Sequence, residues 1–310
     1  MIAVWEKEVK VPLSKWKPAR LSWIDCEQPT RDELAELSKA TGIPLAQLRD
    51  CVNPNKRPRV VNFGSYLLLV VRGINKDTSH AHTVVFSIFM FKNFVVTIHE
   101  RPVKGIEGMR EASRAEKSEL LQSTGLFLYH VMDAVTSGFF RTMEQIEQEM
   151  DTVETQVMKE PSRLATQKLF VLKRRLIHMQ KALFANRDVI ASLEKSRALK
   201  ADELVRFHDL YNDVAQLLDL ASTHRDILTT VMEMYIGSVN NNLNKVVKTL
   251  TILSAYVMVP VLIASIYGMN FQFMPEIAWK YGYVFSLVLM ALSVLAFHFY
   301  FKRKGWLGWP

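Results

Sequence analysis

A short polar segment near the end of the chain, YGMNFQFMPE, holds the side chains best placed to bind a polar ligand. It runs from Tyr267 to Glu276 and contains a glycine at Gly268, an amide at Asn270 and a carboxylate at Glu276. A neutral amide forms hydrogen bonds but neither titrates nor attacks a substrate. We do not expect an enzyme.

Two long uncharged segments flank this polar loop. Residues 249–275 form a run of 27 positions without Asp, Glu, Lys or Arg, and residues 281–301 form another of 21. A helix needs roughly 20 mainly apolar residues to cross the hydrocarbon core of a bilayer. We therefore predict a transmembrane hairpin over 246–310, with the polar loop at one surface, rather than a pair of buried core helices.

Basic residues indicate the orientation of this hairpin. Lys245 and Lys248 precede the first span, and Lys302, Arg303 and Lys304 follow the second. Since positive charge favours the cytoplasmic side, both termini should be cytoplasmic in a protein integral to the cell (inner or plasma) membrane and surrounded by lipid. The net charge of +8 is better explained by a membrane-proximal surface than by a nucleic-acid partner.

The first part of the chain, 1–102, is predicted to be a small cytoplasmic α/β domain with a central sheet. Thr30 and Glu33 have the spacing of a capping box, which predicts a short helix at about 30–40. Cys26 and Cys51 form no CxxC motif and are expected to be reduced core thiols. Short runs rich in β-branched and aromatic residues predict strands at 66–73, 83–91 and 93–100.

The middle part, 103–245, is predicted to be helical. Between Pro161 and Pro260 there is no proline and one glycine, and apolar residues recur at spacings of three and four. The segment at 160–163 should turn one helix into the next. A further helix should begin near Ala201 and run without a break into the first span, so that its first half forms a cytoplasmic stalk.

One face of this last helix carries small polar and medium-sized apolar residues without an ionisable group. Two transmembrane helices cannot enclose a water-filled path, so transport would require several chains around one axis. Leu and Ile fall on the other faces. The pattern fits pore lining and ordinary packing of small residues in a membrane equally well. The stripe consists of Asn244, Val247, Thr251, Ser254, Met258, Val261 and Ser265.

With these features combined, the chain resembles the CorA family of divalent-cation channels. The resemblance implies a homopentameric funnel in which five first spans line a pore and five second spans surround them. Asn270 matches the asparagine whose ring meets hydrated Mg²⁺ at the outer mouth, Gly268 and Met269 match its companions, and Asn244 matches an asparagine at the cytoplasmic end. The stripe then falls on the pore face. The motifs that carry the resemblance are YGMN with the following MPE, LSWIDCEQPTRDEL, NKRPRV and NKVVKTLT.

Magnesium chemistry is compatible with an asparagine filter. Mg²⁺ sheds its water reluctantly, and neutral amides can hydrogen-bond that water without holding the ion as firmly as carboxylates would. Gly268 is expected to allow a sharp turn and close approach of subunits. Glu276 either concentrates cations at the entrance or simply pairs with Lys280. No phosphate-binding loop is present, so the membrane potential is the expected driving force.

Regulation is expected in the cytoplasmic part. The resemblance places Asp209 at a position that helps to bind a regulatory Mg²⁺ between subunits, with Asp213 nearby, although a solvated surface acid is the alternative. Val247 and Met258 could form an apolar constriction that closes the pore by dewetting.

Two other functions remain open. One is a zinc or proton-coupled transporter of the related branch, against which Met269 argues, and the magnesium channel could itself also admit Co²⁺ and Ni²⁺. The other is a membrane-anchored cytoplasmic scaffold, which would need neither Asn270 nor the stripe. Asp77, His80 and His82 offer too few ligands at fixed spacing for a metal site, and His298 in the second span is expected to reach lipid headgroups.

Overall fold

The computed structural model describes residues 2–6, 9–11, 13, 16, 21–76, 83–112, 122–159, 162–196, 198–272 and 274–307. The chain divides into two compact units, Met1–Glu233 and Met234–Pro310. The first unit contains a sheet with helices, and the second contains two long apolar helical segments and the loop that joins them. The finer division at residues 102 and 245 stays a prediction.

Seven strands form one sheet within the described part of the first unit. Strands β3 and β7 are parallel, and all other neighbours are antiparallel. The three strands predicted from the sequence are confirmed as β5, β6 and β7. The strands are β1 (Ile2–Glu6), β2 (Val9–Val11), β3 (Ser22–Glu27), β4 (Arg59–Asn62), β5 (Leu67–Ile74), β6 (Thr83–Met90) and β7 (Phe94–His99), in the spatial order β2-β1-β3-β7-β6-β5-β4.

The helices begin where the sequence supplies caps. The Thr30 hydroxyl accepts a hydrogen bond from the Glu33 amide at 3.2 Å, and the Thr30 amide donates to the Glu33 carboxylate at 2.8 Å. The predicted capping box and helix are thus confirmed. The helices are α1 (Arg31–Thr41), α2 (Leu45–Cys51), α3 (Ile106–Ala112), α4 (Thr124–Lys159), α5 (Arg163–Lys195), α6 (Ala201–Tyr267), α7 (Pro275–Ala278) and α8 (Gly282–Arg303).

Helices cover both faces of the sheet. Helices α1 and α2 pack on one face through buried side chains such as Leu37 and Leu48, and α4 packs on the other, where the Phe127 ring lies 5.4 Å from Trp23. Since both faces are covered, the central strands are continuous apolar runs. Cys26 and Cys51 are free and buried, as expected, and burial raises the pKa of both thiols.

The α4–α5 hairpin packs along the predicted apolar seam. Ser162 caps α5 by accepting a hydrogen bond from the Ala165 amide at 3.2 Å. Further along α5, the buried Asn186 amide pairs with the backbone of Arg72 in β5, at 2.8 Å and 2.7 Å. This pair attaches α5 to the sheet. The seam residues are all buried: Ile146, Met150, Val153, Val157, Leu169, Leu172, Leu176, Met179 and Leu183.

The second unit contains helices that are apolar enough to cross a membrane. The end of α6 and most of α8 each reach a mean hydropathy of 2.1 over 18 residues. The share of these windows that is buried is 0% in α6 and 11% in α8, whereas the core helix of a soluble protein would be mostly buried. The predicted pair of apolar spans is confirmed, and α6 runs as one helix from Ala201 into the first span.

Candidate functional site

The candidate filter residues follow the last turn of α6. The Gly268 amide donates to the Ala264 carbonyl at 2.9 Å, and the Met269 amide donates to the Ile266 carbonyl at 3.3 Å. Asn270 follows without helical structure and is exposed. The amide side chain that the sequence singles out is therefore accessible at the end of the first span.

Gly268 lies in the turn that ends α6. Its φ is outside the left-handed region, so this backbone conformation does not by itself require a glycine. A Cβ added here would lie 3.2 Å from the Ala264 carbonyl oxygen. That distance is shorter than an ordinary van der Waals contact, but it involves a single atom. Close approach of neighbouring protomers at this glycine stays a prediction.

The polar stripe lies on a freely accessible side of α6. All of its members are exposed, including Met258 at 70% and Val261 at 54%. At 3.6 residues per turn, the stripe residues cluster on one side of the helix, and Tyr256 points to the opposite side. The residues of the span that are partly buried surround Tyr256: Ile252, Ala255, Val259, Pro260, Ile263 and Tyr267.

Helix α8 contacts α6 on the side opposite to the stripe. The Tyr256 ring lies edge-on to the Phe301 ring of α8 at 6.0 Å. The Tyr256 hydroxyl is 3.3 Å from Nδ1 of His298. The sequence predicted that His298 would reach lipid headgroups, and it did not predict this contact with a protein side chain. The stripe is left uncovered because α8 occupies the other side.

The loop between the spans is fixed against the start of α8. Pro275 is at the start of α7, and a Cβ on Gly282 would overlap the backbone carbonyl oxygen of Glu276. Among the ion pairs of the described residues, none joins Glu276 to Lys280. The Lys280 ammonium lies instead 6.0 Å from the Tyr281 ring centroid. The interpretation of Glu276 as half of an ion pair is thus not supported.

The basic flanks of the two spans meet at the other end of the hairpin. The Lys248 ammonium donates to the Gly305 carbonyl at 3.4 Å and lies 5.7 Å from the Trp306 ring centroid. Trp306 in turn stacks on Phe301 at 5.6 Å. Gly305 has a φ of 68°, a left-handed conformation that reverses the chain after α8.

Asp209 lies in the first unit, exposed on α6. Burial raises the pKa of the nearby Tyr129 phenol, and the charges of Asp133, Asp213 and Asp209 raise it further. Burial also raises the pKa of Asp133, with Asp213 adding to the effect. Acidic groups of α4 and α6 therefore act on the same phenol as Asp209, and the Arg206 guanidinium opposes their effect on its pKa.

A buried polar network in the sheet was missed by the sequence reasoning. The Thr97 hydroxyl accepts from the Trp23 indole at 2.8 Å and donates to Asp25 at 2.7 Å. Nε2 of His99 is 3.2 Å from the same Asp25 oxygen. Arg110 of α3 donates through Nε to the other Asp25 oxygen at 2.8 Å. The parallel pairing of β3 with β7 aligns these residues, a long-range register that no local motif reveals.

Asp25 has basic and polar partners in this network. Burial would raise the pKa of Asp25, but His99, Arg110 and Thr97 outweigh that effect and hold it below its ordinary value. Ligand atoms of Asp25, Glu27 and His99 lie within 4.8 Å of one another. Arg110 already donates to both carboxylates, so this group is best explained as a structural ion-pair network. The other histidine-containing group, at 77–82, lies outside the described residues.

Comparison with known proteins agrees with these features. A family model described as CorA-like Mg2+ transporter protein matches residues 18–303. A cobalt/magnesium transport protein CorA from Methanocaldococcus jannaschii is 29% identical over 306 residues, covering 97% of this chain and 96% of the relative. One from Thermotoga maritima is 30% identical over 292 residues, covering 92% and 83%.

Solved structures extend the likeness to the whole fold. The complete structure of the CorA magnesium transporter from Methanocaldococcus jannaschii superposes with a TM-score of 0.91 at 27% sequence identity, covering 99% of both chains. The full-length CmaX protein superposes with a TM-score of 0.76 at 18% identity, which shows a shared fold only. The chain therefore belongs to the CorA-like Mg²⁺ transporter family, whose members are membrane transport proteins and not enzymes.

Proposed function

We propose that this chain forms a passive, potential-driven Mg²⁺ uptake channel that also admits Co²⁺ and Ni²⁺. Five identical protomers surround one axis, so that their α6 helices line the pore and their α8 helices lie outside in contact with lipid. The relatives from Methanocaldococcus jannaschii and Thermotoga maritima are named as cobalt/magnesium transport proteins. These names support the choice of Mg²⁺ and Co²⁺ as transported ions.

The exposed stripe on α6 is the observation that carries this proposal. Its hydroxyl and amide groups are uncharged, and α8 covers the opposite side of the same helix. Turned to lipid, the Ser254 and Ser265 hydroxyls of this face would lose the hydrogen bonds that water gives them, whereas the Thr251 hydroxyl already donates to the Val247 carbonyl at 2.8 Å. If the same face of several protomers lined a water-filled pore, water would satisfy these groups. An ion could then move through the pore without being bound by fixed charges.

Asn270 acts as the selector at the outer mouth, together with Gly268 and Met269. A ring of five amides hydrogen-bonds the water of a hydrated Mg²⁺ and leaves the ion free to move on. Glu276 adds up to five carboxylates near the entrance, which concentrate cations by electrostatic focusing. The absence of an ion pair between Glu276 and Lys280 among the described residues supports this role.

Membrane potential supplies the driving force. A doubly charged ion gains about 4.6 kcal/mol per 100 mV, since each elementary charge gains about 2.3. Lys248 contacts the backbone and ring that follow α8, so the basic flanks of both spans are at one end of the hairpin. Their charge supports a cytoplasmic location for that end and for both termini.

Closure takes place at an apolar ring and is controlled from the cytoplasm. Val247 and Met258 expose 52% and 70% of their surfaces, and rings of such side chains can close a narrow pore by dewetting. Mg²⁺ bound at Asp209 stabilises the closed state when cytoplasmic Mg²⁺ is high. The negative charges of Asp133 and Asp213 near Asp209 support cation binding there.

Flux into liposomes tests the function directly. The protein is reconstituted with a Mg²⁺-sensitive dye inside, and an inside-negative potential is applied. We expect Mg²⁺ entry that is lost in Asn270→Ala and retained in Gln272→Ala, which removes another exposed amide of the same loop. The molecular mass of the detergent-solubilised protein should correspond to five chains.

The same assay separates the alternatives. Zn²⁺ entry coupled to a pH gradient would indicate a zinc or proton-coupled transporter. If the protein is correctly inserted and no tested ion enters the liposomes, the result would indicate a membrane-anchored scaffold. Equal Mg²⁺ entry in Asn270→Ala and in the unmodified protein would refute the asparagine filter.

A further inference from the structure

Tyr256 and His298 link the two membrane helices side by side. The Tyr256 hydroxyl lies 3.3 Å from Nδ1 of His298, and it donates a hydrogen bond when the imidazole carries its proton on Nε2. The Tyr256 ring also meets Phe301 at 6.0 Å, nearly perpendicular to it. An interhelical hydrogen bond of this kind helps to hold two membrane helices at a fixed separation.

The helix is weakened at the same residue. Pro260 has no backbone N–H, so the Tyr256 carbonyl lacks the partner that residue i+4 gives elsewhere in a helix. A proline within a helix is a common site of bending. The residue whose backbone bond is missing is therefore the residue whose side chain is bound to α8, so the neighbouring helix can set the bend.

Tyr256 is also close to the proposed constriction. Met258 is two residues further along α6, on the other side of the helix and 70% exposed. A displacement of Tyr256 toward α8 draws the Met258 side of α6 in the same direction, away from the side that the stripe faces. Release of Tyr256 permits the reverse movement.

We infer that the hydrogen bond between Tyr256 and His298 positions α6 so that Met258 is held back from the pore axis, and that it thereby favours the conducting state. This inference rests on the proposed channel function, since it assigns a consequence to movement of the stripe. Neither residue contacts the ion. Both act as positioning residues on the side of the helix that faces away from the pathway.

Four variants test this role in the full-length protein reconstituted in liposomes. Tyr256→Phe removes the hydroxyl and keeps the ring against Phe301, and His298→Leu removes the acceptor. The double variant combines both changes. His298→Asn restores a short acceptor close to the Nδ1 position. Tyr283→Phe is the matched control, because Tyr283 is a 76% exposed tyrosine of α8.

We expect Tyr256→Phe and His298→Leu each to lower Mg²⁺ flux about two- to tenfold, the range of one net hydrogen bond. The internal Mg²⁺ concentration that closes the channel should fall in both variants, while the preference between Mg²⁺ and Co²⁺ stays unchanged. The double variant should match the single ones. Both His298→Asn and Tyr283→Phe should behave like the unmodified protein.

Additive effects in the double variant, or an unchanged closing concentration in Tyr256→Phe, would overturn the inference while leaving the channel function intact. A loss of flux that simply follows a loss of assembled protein in detergent would also overturn it. Absence of Mg²⁺ flux in the unmodified protein would refute the channel function instead, so the two failures can be told apart.

Discussion

The sheet of the first unit and the helical hairpin of the second both carry polar side chains among apolar neighbours, but they use them differently. In the sheet, Asp25 is 1% exposed and has hydrogen-bond partners on both oxygens. On α6, Thr251 and Ser254 are exposed and uncharged. One region surrounds a charge with partners, and the other presents neutral groups on an exposed face of a helix.

This difference follows from the cost of removing charge from water. A buried carboxylate is tolerable only when it is paired and hydrogen-bonded, which is why Arg110 and His99 accompany Asp25. A pathway for a divalent ion has the opposite requirement, because a fixed carboxylate would retain the ion. The predictions below test each half of this comparison, beginning with the largest expected effect.

Arg110→Leu should destabilise the first unit by about 3–5 kcal/mol, because the buried Asp25 loses the guanidinium that binds its second oxygen and is left with His99 and Thr97 on the other oxygen. Thermal unfolding of the detergent-solubilised protein would measure the change. Arg31→Leu is the control, since Arg31 is exposed on α1 and its loss should cost within about 0.5 kcal/mol. Equal stability of the two variants would contradict the importance of the network.

Thr251→Lys should reduce Mg²⁺ flux about a hundredfold, because a ring of ammonium groups on the stripe opposes a cation by several kcal/mol. Thr249→Lys is a matched control. Both threonines bond back to the preceding turn, but they lie about 200° apart around the helix. Similar flux in the two variants would show that the stripe does not line the pathway.

Acidification should weaken the sheet. The folded pKa of Asp25 is below its ordinary value of 3.8, so its stabilising contribution is complete above that value and is lost as pH falls through the folded pKa. Unfolding temperatures between pH 7 and pH 3 should therefore fall less steeply in Asp25→Asn than in the unmodified protein. Parallel profiles would contradict this assignment.

The smallest effect is expected for Ser254→Ala, which should change stability by less than about 0.5 kcal/mol, because it removes an exposed hydroxyl that has no hydrogen-bond partner among the described residues. Thr97→Val removes a hydroxyl of the sheet network and should cost about 1–3 kcal/mol, since it leaves buried partners unsatisfied. Thermal unfolding compares the two directly. A larger loss from Ser254→Ala would reverse the comparison.

Local signals predicted much of the architecture. The Thr30 cap, the β-branched runs of the central strands and the uncharged spans are each encoded within a short stretch of consecutive residues, and the structure confirms them. The stripe on α6 was also predictable from the sequence, because helical periodicity alone decides which residues share a face. Its role in lining a pore stays a prediction.

Long-range pairing accounts for what was missed. Strand β3 carries Asp25 in a short run, and its partner His99 is 74 residues away, so only the parallel register brings them together. The short strands β1, β2 and β4 lack the long apolar runs that identified the central strands. Tyr256 and His298 are likewise separated by 42 residues, and each alone looks like an ordinary membrane residue.

The reversal at Gly305 has a practical consequence for handling the protein. Because Trp306 folds back to stack on Phe301 and to meet Lys248, a protein shortened before Gly305 would lose a brace between its two spans. Affinity tags or fluorophores at this end should be appended after the tryptophan with a flexible spacer. A label attached to Lys248 itself would compete with that brace and report a disturbed hairpin.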